Sequence, residues 1–185
     1  KGIIMNDNIL KFVNLASPKL GSRVVEFSDD FFGDVSRMLK DEDPIFIPDK
    51  YDNHGKWMDG WESRRKRTEG NDWSIIQLGS PGKIEEIEID TSHFTGNFPP
   101  YASLEGIYAK EKPKFDENWT SILKKTELKG DKSQKFKVKS ELINYVKFQI
   151  YPDGGVARLR LFGNVLYDFQ KDKKNIYELS SLNLG

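Results

Sequence analysis

Trp73-Ser74-Ile75-Ile76-Gln77-Leu78-Gly79-Ser80-Pro81-Gly82-Lys83-Ile84-Glu85-Glu86-Ile87-Glu88-Ile89-Asp90-Thr91 is where the chain turns from a helical to an extended period. Trp73 to Leu78 is a short apolar run, and Gly79-Ser80-Pro81-Gly82 is a turn signature that predicts a stop. From Ile84 the residues alternate. Glu85, Ile87, Ile89 and Thr91 fall on one face and Ile84, Glu86, Glu88 and Asp90 on the other, as in a strand with one buried side.

Working towards the C-terminus, further strand patterns cover residues 102–109, 119–126, 134–138, 145–151 and 156–162, most of them separated by glycine, proline or charged turns. Towards the N-terminus, residues 28–40 read as one short helix. Ser28 is its N-cap, Asp29 and Asp30 suit the positive helix start, and Phe31, Phe32, Val35, Met38 and Leu39 share a face that Gly33 interrupts. Residues 43–60 are a loop rich in Pro, Asp, Asn and Gly. Many short strands with a single helix predict an all-β fold, a sandwich or a barrel.

Composition narrows the class. Lys and Arg number 29 and so do Asp and Glu, so the net charge is zero. That balance argues against a nucleic-acid or anionic-membrane partner. Without cysteine, thiolate chemistry, disulfides and cysteine metal sites are excluded. With His54 and His93 as the two histidines, a multi-histidine zinc centre is not expected. Asp29, Asp30 and Asp34 lack the spacing of a calcium loop. No apolar stretch nears the roughly 20 residues that cross a bilayer, and the opening residues hold too short an apolar core for a signal peptide. The expected location is the cytoplasm.

Residues 1–20 read as a lead-in, 21–166 as the domain, and 167–185 as a linker. Within the last segment Leu179-Ser180-Ser181-Leu182-Asn183-Leu184-Gly185 echoes Leu15-Ala16-Ser17-Pro18-Lys19-Leu20-Gly21. Either this is an unstructured tail or a second copy of the domain begins there.

Four segments carry a family resemblance: Phe27-Ser28-Asp29-Asp30-Phe31-Phe32-Gly33, Trp57-Met58-Asp59-Gly60-Trp61-Glu62-Ser63-Arg64-Arg65, Asp90-Thr91-Ser92-His93-Phe94-Thr95-Gly96-Asn97, and Tyr151-Pro152-Asp153-Gly154-Gly155-Val156-Ala157-Arg158-Leu159-Arg160-Leu161-Phe162-Gly163. In that order they resemble the allantoicase repeat. The resemblance implies a jelly-roll β-sandwich similar to galactose-binding domains, one of two tandem repeats and here the first. It also implies hydrolysis of allantoate to ureidoglycolate and urea in purine and allantoin degradation, by a homo-oligomer. No cofactor follows with certainty, and a divalent metal is left open.

Allantoate carries a carboxylate and two ureido groups on one carbon. Releasing urea requires a proton for the leaving nitrogen, a base for water, a cation for the carboxylate and amide partners for the ureido ends. His93, Glu62 and Asp59 are the acid/base candidates, drawn from a pool that also holds Asp90 and Asp153. Arg64, Arg65, Arg158 and Arg160 are the clamp candidates, with Asn97 and Asp153 as further substrate contacts. Each has a plainer reading. Arg158 and Arg160 share one strand face, which a solvated outer surface would also explain. Arg64 and Arg65 belong to a charged run, Asp59 and Asp153 precede turn glycines, and Asn97 follows one. Trp57, Trp61, Trp73 and Trp119 could line a pocket, but core or strand packing is the expected role of most of them. A non-catalytic small-ligand or carbohydrate module on the same fold is the alternative, as is a half-site inactive without its second repeat.

Overall fold

Gly79-Ser80-Pro81-Gly82 does not stop the strand. In the computed structural model, which describes residues 12–166, one strand runs from Asp72 to Asp90 and changes partners across these residues. Gly79 passes so close to the turn at residues 18–20 that a Cβ there would meet the Leu20 carbonyl oxygen. Pro81, which has no N–H to give, sits where its carbonyl accepts Leu166 N at 2.8 Å. The turn signature marks a corner in a continuous strand.

The described residues form β1 (Val13–Asn14), β2 (Arg23–Phe27), β3 (Tyr51–Asp52), β4 (Gly55–Lys56), β5 (Trp61–Glu62), β6 (Asp72–Asp90), β7 (Tyr101–Ile107), β8 (Thr120–Glu127), β9 (Ser133–Lys137), β10 (Ile143–Tyr151), β11 (Gly155–Val156) and β12 (Arg158–Val165). The first half of β6 pairs with β2 and with β10, which leads on to β7 and β8. Its second half pairs with β9 and with β12, which carries β1 on its other edge. All these pairings are antiparallel. Side chains of the two groups, among them Ile76, Leu104, Val146 and Phe148 from one and Ile87, Ile89, Leu159 and Leu161 from the other, meet in one core. The result is the β-sandwich that alternation predicts.

Three expectations need correction. Ile84 joins Ile87 and Ile89 in the core rather than facing away. The β12 register skips Glu85, with Phe162 opposite Glu86 and Gly163 opposite Ile84, and this bulge reverses the alternation. The helix over residues 28–40 is one 3-10 turn, Val35–Leu39, capped by Asp34 through Ser36 N at 2.8 Å. Ser28 is no N-cap, because its hydroxyl and N–H are used on Asp72 and Trp73. Gly33 exchanges backbone hydrogen bonds of 3.0 Å with Glu62, so a helix cannot form through it. Of the expected apolar face, Val35, Met38 and Leu39 are buried in the core, whereas Phe31 and Phe32 are exposed. The lead-in also ends earlier than residue 20: β1 pairs with β12, and Leu15 and Ala16 are buried. The tail echo at residues 179–185 lies outside the described residues.

Arg158 and Arg160 do share a face, and that face is covered. Arg158 has no exposed surface. Its Nη2 donates to Asp59 Oδ2 at 2.6 Å, Nη1 to the Asp59 and Ala157 carbonyls at 2.7 Å each, and Nε to the Glu42 carbonyl at 2.7 Å. Arg160 pairs with Glu88 at 3.0 Å and Asp43 at 3.1 Å. The two guanidiniums hold the long loop after the 3-10 turn down onto β12. Burial would raise the Asp59 carboxyl. The hydrogen bonds from Lys40 and Arg158, with that from Ile45 N, outweigh it and hold the group below the ordinary aspartate value.

Removing one partner of a buried, fully bonded pair strands the other charge. Arg158→Ala should therefore lower unfolding stability by about 3–5 kcal/mol in urea titration, and Asp59→Asn should also be destabilising. A lowered carboxyl stabilises the fold above its unfolded value and loses that contribution as pH falls through the lowered one. The stability gap between the native chain and Asp59→Asn should accordingly narrow on acidification.

Candidate functional site

The four motif segments converge at one end of the sandwich. Gly33 of the first bridges Glu62 of the second. Trp61 and Glu62 pair with Val156 and Gly155 of the fourth. Gly155 N donates to the Asn97 carbonyl of the third at 2.7 Å, and Ala157 N to the Asp90 carbonyl at 2.8 Å. Gly155 has no room for a side chain, since a Cβ would stand 2.0 Å from the Phe94 ring. Phe94 is buried with Met58 and Ala157 beneath this junction. Trp61 is fully buried too, its indole N–H on the Asp29 carbonyl at 2.8 Å. Glu62 is thus held on both sides by backbone pairing and from below by its neighbour.

Above the junction lies an open cleft of about 560 Å³, lined in part by Glu62, His93, Asn97, His54, Lys56 and Asp131, with Phe32, Phe46 and Met58 as apolar walls. Asn97 Nδ2 donates to Glu62 Oε1 at 2.6 Å, which leaves the Asn97 amide oxygen as an acceptor. Burial raises the Glu62 carboxyl above the ordinary glutamate value, and the Asn97 hydrogen bond offsets part of that rise. His93 adopts φ 70°, with its backbone N–H on Asp131 Oδ1 at 2.8 Å. Its Nε2 lies 3.3 Å from the Pro44 carbonyl, which can only accept, so in this contact Nε2 donates and Nδ1 of the neutral ring is left as an acceptor. The Phe46 ring lies beside the imidazole at 5.8 Å.

Of the residues singled out in the sequence, the structure brings Glu62, His93 and Asn97 together on this cleft. The others stand elsewhere. Asp59 and Arg158 are committed to each other, and Arg160 to Glu88 and Asp43. Arg64 places Nε and Nη2 on Asp29 Oδ2 at 2.8 and 2.7 Å and lies over Phe31. The backbone and side-chain hydrogen bonds from Arg64, with that from Phe31 N, outweigh burial and lower the Asp29 carboxyl. Arg64, Arg65, Lys66 and Arg67 line a separate, smaller cleft of about 180 Å³ with Asp29 and Asp72. Asp153 accepts Lys66 N at 2.8 Å and braces its turn. Trp61 is core, Trp57 lies under the Lys50 ammonium, Trp73 packs on Phe115, and Lys147 reaches over Trp119, so none lines the larger cleft.

Lys56, His54 and Asp131 were not legible as site residues. Lys56 and His54 fall in a stretch that reads as a loop without periodicity and that the structure folds into the short β3–β4 hairpin. Asp131 had only the Gly130-Asp131 turn to mark it. Among the described residues, no three His, Asp or Glu side chains stand together as a metal ion would need.

The fold and the loop-built cleft define an antiparallel β-sandwich with a polar site at one end. The chain belongs to the allantoicase family: the model of the allantoicase repeat matches residues 13–166. It is 44% identical over 178 residues to a probable allantoicase of Burkholderia mallei, covering 95% of this chain and 53% of that protein. It is 52% identical over 153 residues to a probable allantoicase of Acinetobacter baumannii, covering 82% and 46%. The crystal structure of allantoicase from Saccharomyces cerevisiae superposes with a TM-score of 0.74 at 34% identity, over 83% of this chain and 48% of that one. The C-terminal domain of a Bacteroides fragilis chitobiase, 18% identical with a TM-score of 0.56 over 79% and 95%, shares the fold alone. The chain spans about half the length of the curated relatives it matches.

A carboxyl raised by burial takes up its proton in the folded state first, so it favours the fold at low pH and costs stability once ionised. Glu62→Gln offers an amide oxygen in place of the carboxylate oxygen that accepts from Asn97, and it removes the charge. Its melting temperature should exceed that of the native chain near neutrality, and the difference should vanish below the ordinary glutamate value.

Proposed function

We propose that this chain forms part of a hydrolase that converts allantoate and water to ureidoglycolate and urea. The observation that carries this reading is the presence, on one cleft, of a glutamate with a raised carboxyl and a histidine whose Nδ1 is left as an acceptor. In the net reaction the C–N bond between the central carbon and one ureido nitrogen breaks. That nitrogen gains a proton, and the carbon gains the hydroxyl of water. Glu62 supplies the proton, since a raised carboxyl keeps it nearer to neutrality. His93 Nδ1 takes a proton from water. The Asn97 amide oxygen accepts a ureido N–H, and the Glu62–Asn97 hydrogen bond holds both groups in place before the substrate arrives.

The activity belongs to the whole protein. We infer that it carries a second repeat, supported by the span of the relatives and the echo at residues 179–185. We also infer a homo-oligomer, supported by the exposed apolar side chains of Phe31, Phe32, Ile45, Phe46 and Ile47, of which Phe32 and Phe46 line the cleft. No helix of the described residues is long and apolar enough to cross a membrane. The absence of cysteine is compatible with the cytoplasm, which we propose as the location.

Urea release from allantoate by the full-length protein tests this reading. Glu62→Gln and His93→Ala should each lower kcat by about 10²–10⁴-fold, the usual scale of general acid–base catalysis. Turnover unaffected by both changes, or no turnover in the native protein, would overturn it.

A further inference from the structure

We propose that Lys56 is the cation that receives the substrate's carboxylate in the Glu62–His93 cleft, which makes it a specificity-determining residue for anionic ureides. The inference rests on the hydrolase reading and extends it to a residue that the motif segments do not contain.

Lys56 is the sole lysine or arginine among the residues lining that cleft. The arginines that the sequence offered for the clamp are spent on carboxylates or carbonyls elsewhere, or line the other cleft. A substrate carboxylate in the larger cleft would otherwise face Glu62 and Asp131 with no counter-charge from its walls but histidine. Two like charges confined together are unfavourable, so a cation on the wall decides whether an anion enters.

The ammonium is placed for this. Its Nζ lies 4.6 Å from the centre of the Phe46 ring, and Phe46 in turn lies beside His93. A ring face holds an ammonium without giving it a hydrogen-bond acceptor, so its donors remain free for a ligand. Among the described residues no carboxylate stands within ion-pair distance of Lys56. The backbone beneath is fixed as well: Tyr51 pairs with Lys56 and Asp52 with Gly55. Trp57 N closes the base of this hairpin on the Lys50 carbonyl at 3.0 Å, and Asp52 Oδ1 holds His54 N at 2.9 Å. His54 then stacks on Phe31 at 4.4 Å and ties the hairpin tip to the first motif segment.

Two unreactive probes separate the charge from the ureido group. N-carbamoylglycine has a carboxylate and one ureido group, and so lacks the carbon carrying two ureido groups at which allantoate would be cleaved. Ethylurea has the ureido group alone. Both are titrated by NMR into the native chain, Lys56→Met and Lys56→Arg, with each variant's melting temperature measured alongside. The native chain should bind N-carbamoylglycine more tightly than ethylurea. Lys56→Met should weaken N-carbamoylglycine about tenfold or more, the scale of one charge-assisted hydrogen bond, and leave ethylurea unchanged. Lys56→Arg should restore most of the loss. In the full-length protein, Lys56→Met should raise KM for allantoate by more than it lowers kcat.

Unaltered N-carbamoylglycine binding in Lys56→Met would overturn the proposal, as would equal loss of both probes or no binding to the native chain. The two readings fail separately. Lys56-dependent binding without allantoate turnover removes the hydrolase reading and leaves a carboxylate-binding cleft. Turnover with a KM indifferent to Lys56 removes this inference and leaves the hydrolase.

Discussion

Arg158 carries a positive charge with no exposed surface, and such a charge is tolerated only where acceptors surround it. Asp59 supplies its carboxylate and its carbonyl, and Glu42 supplies another carbonyl. These partners lie in the long loop before β5, so satisfying one guanidinium fixes where that loop crosses the sheet. Gly60, Trp61 and Glu62 follow Asp59 directly. The position of Glu62 in the cleft therefore depends on an ion pair that does not itself line the cleft. Lys40 on the other Asp59 oxygen strengthens the same anchor.

The cleft is assembled from segments far apart in sequence, and each contributes a small or flat surface to the junction. Gly33 and Gly155 flank Glu62, where side chains would collide with Gly60 or Phe94. Phe94 fills the space beneath and holds the preceding residue, His93, at the rim. That arrangement explains why glycines, aromatics and acids recur together in the four motif segments. They are the joints of one site rather than four separate features.

The strands were legible because β-sandwich residues alternate and their turns use glycine, proline and charge. What failed were the places where a non-local partner overrides local pattern. Ile84 changed face because a bulge on β6 is set by its pairing with β12, which alternation within β6 cannot show. Residues 28–34 forwent a helix because Gly33 and Ser28 found strand partners. At the site, Glu62, His93 and Asn97 stood in motif segments and were legible as types. For Arg158 and Arg160 the shared face was readable from periodicity, but the loop that covers it was not. Lys56 escaped notice because a lysine in a two-residue strand carries no pattern, and only the fold shows which cleft it borders.

The central claim is that ligand chemistry belongs to the Glu62 cleft while Arg158 belongs to the scaffold. A crystal structure of Glu62→Gln with allantoate bound tests it most directly. The expected result is a ureido group within hydrogen-bond reach of residue 62 and Asn97, with Arg158 still on Asp59. Allantoate seated among Arg64, Arg65 and Arg67, or an Arg158 that has left Asp59 to meet it, would contradict the account.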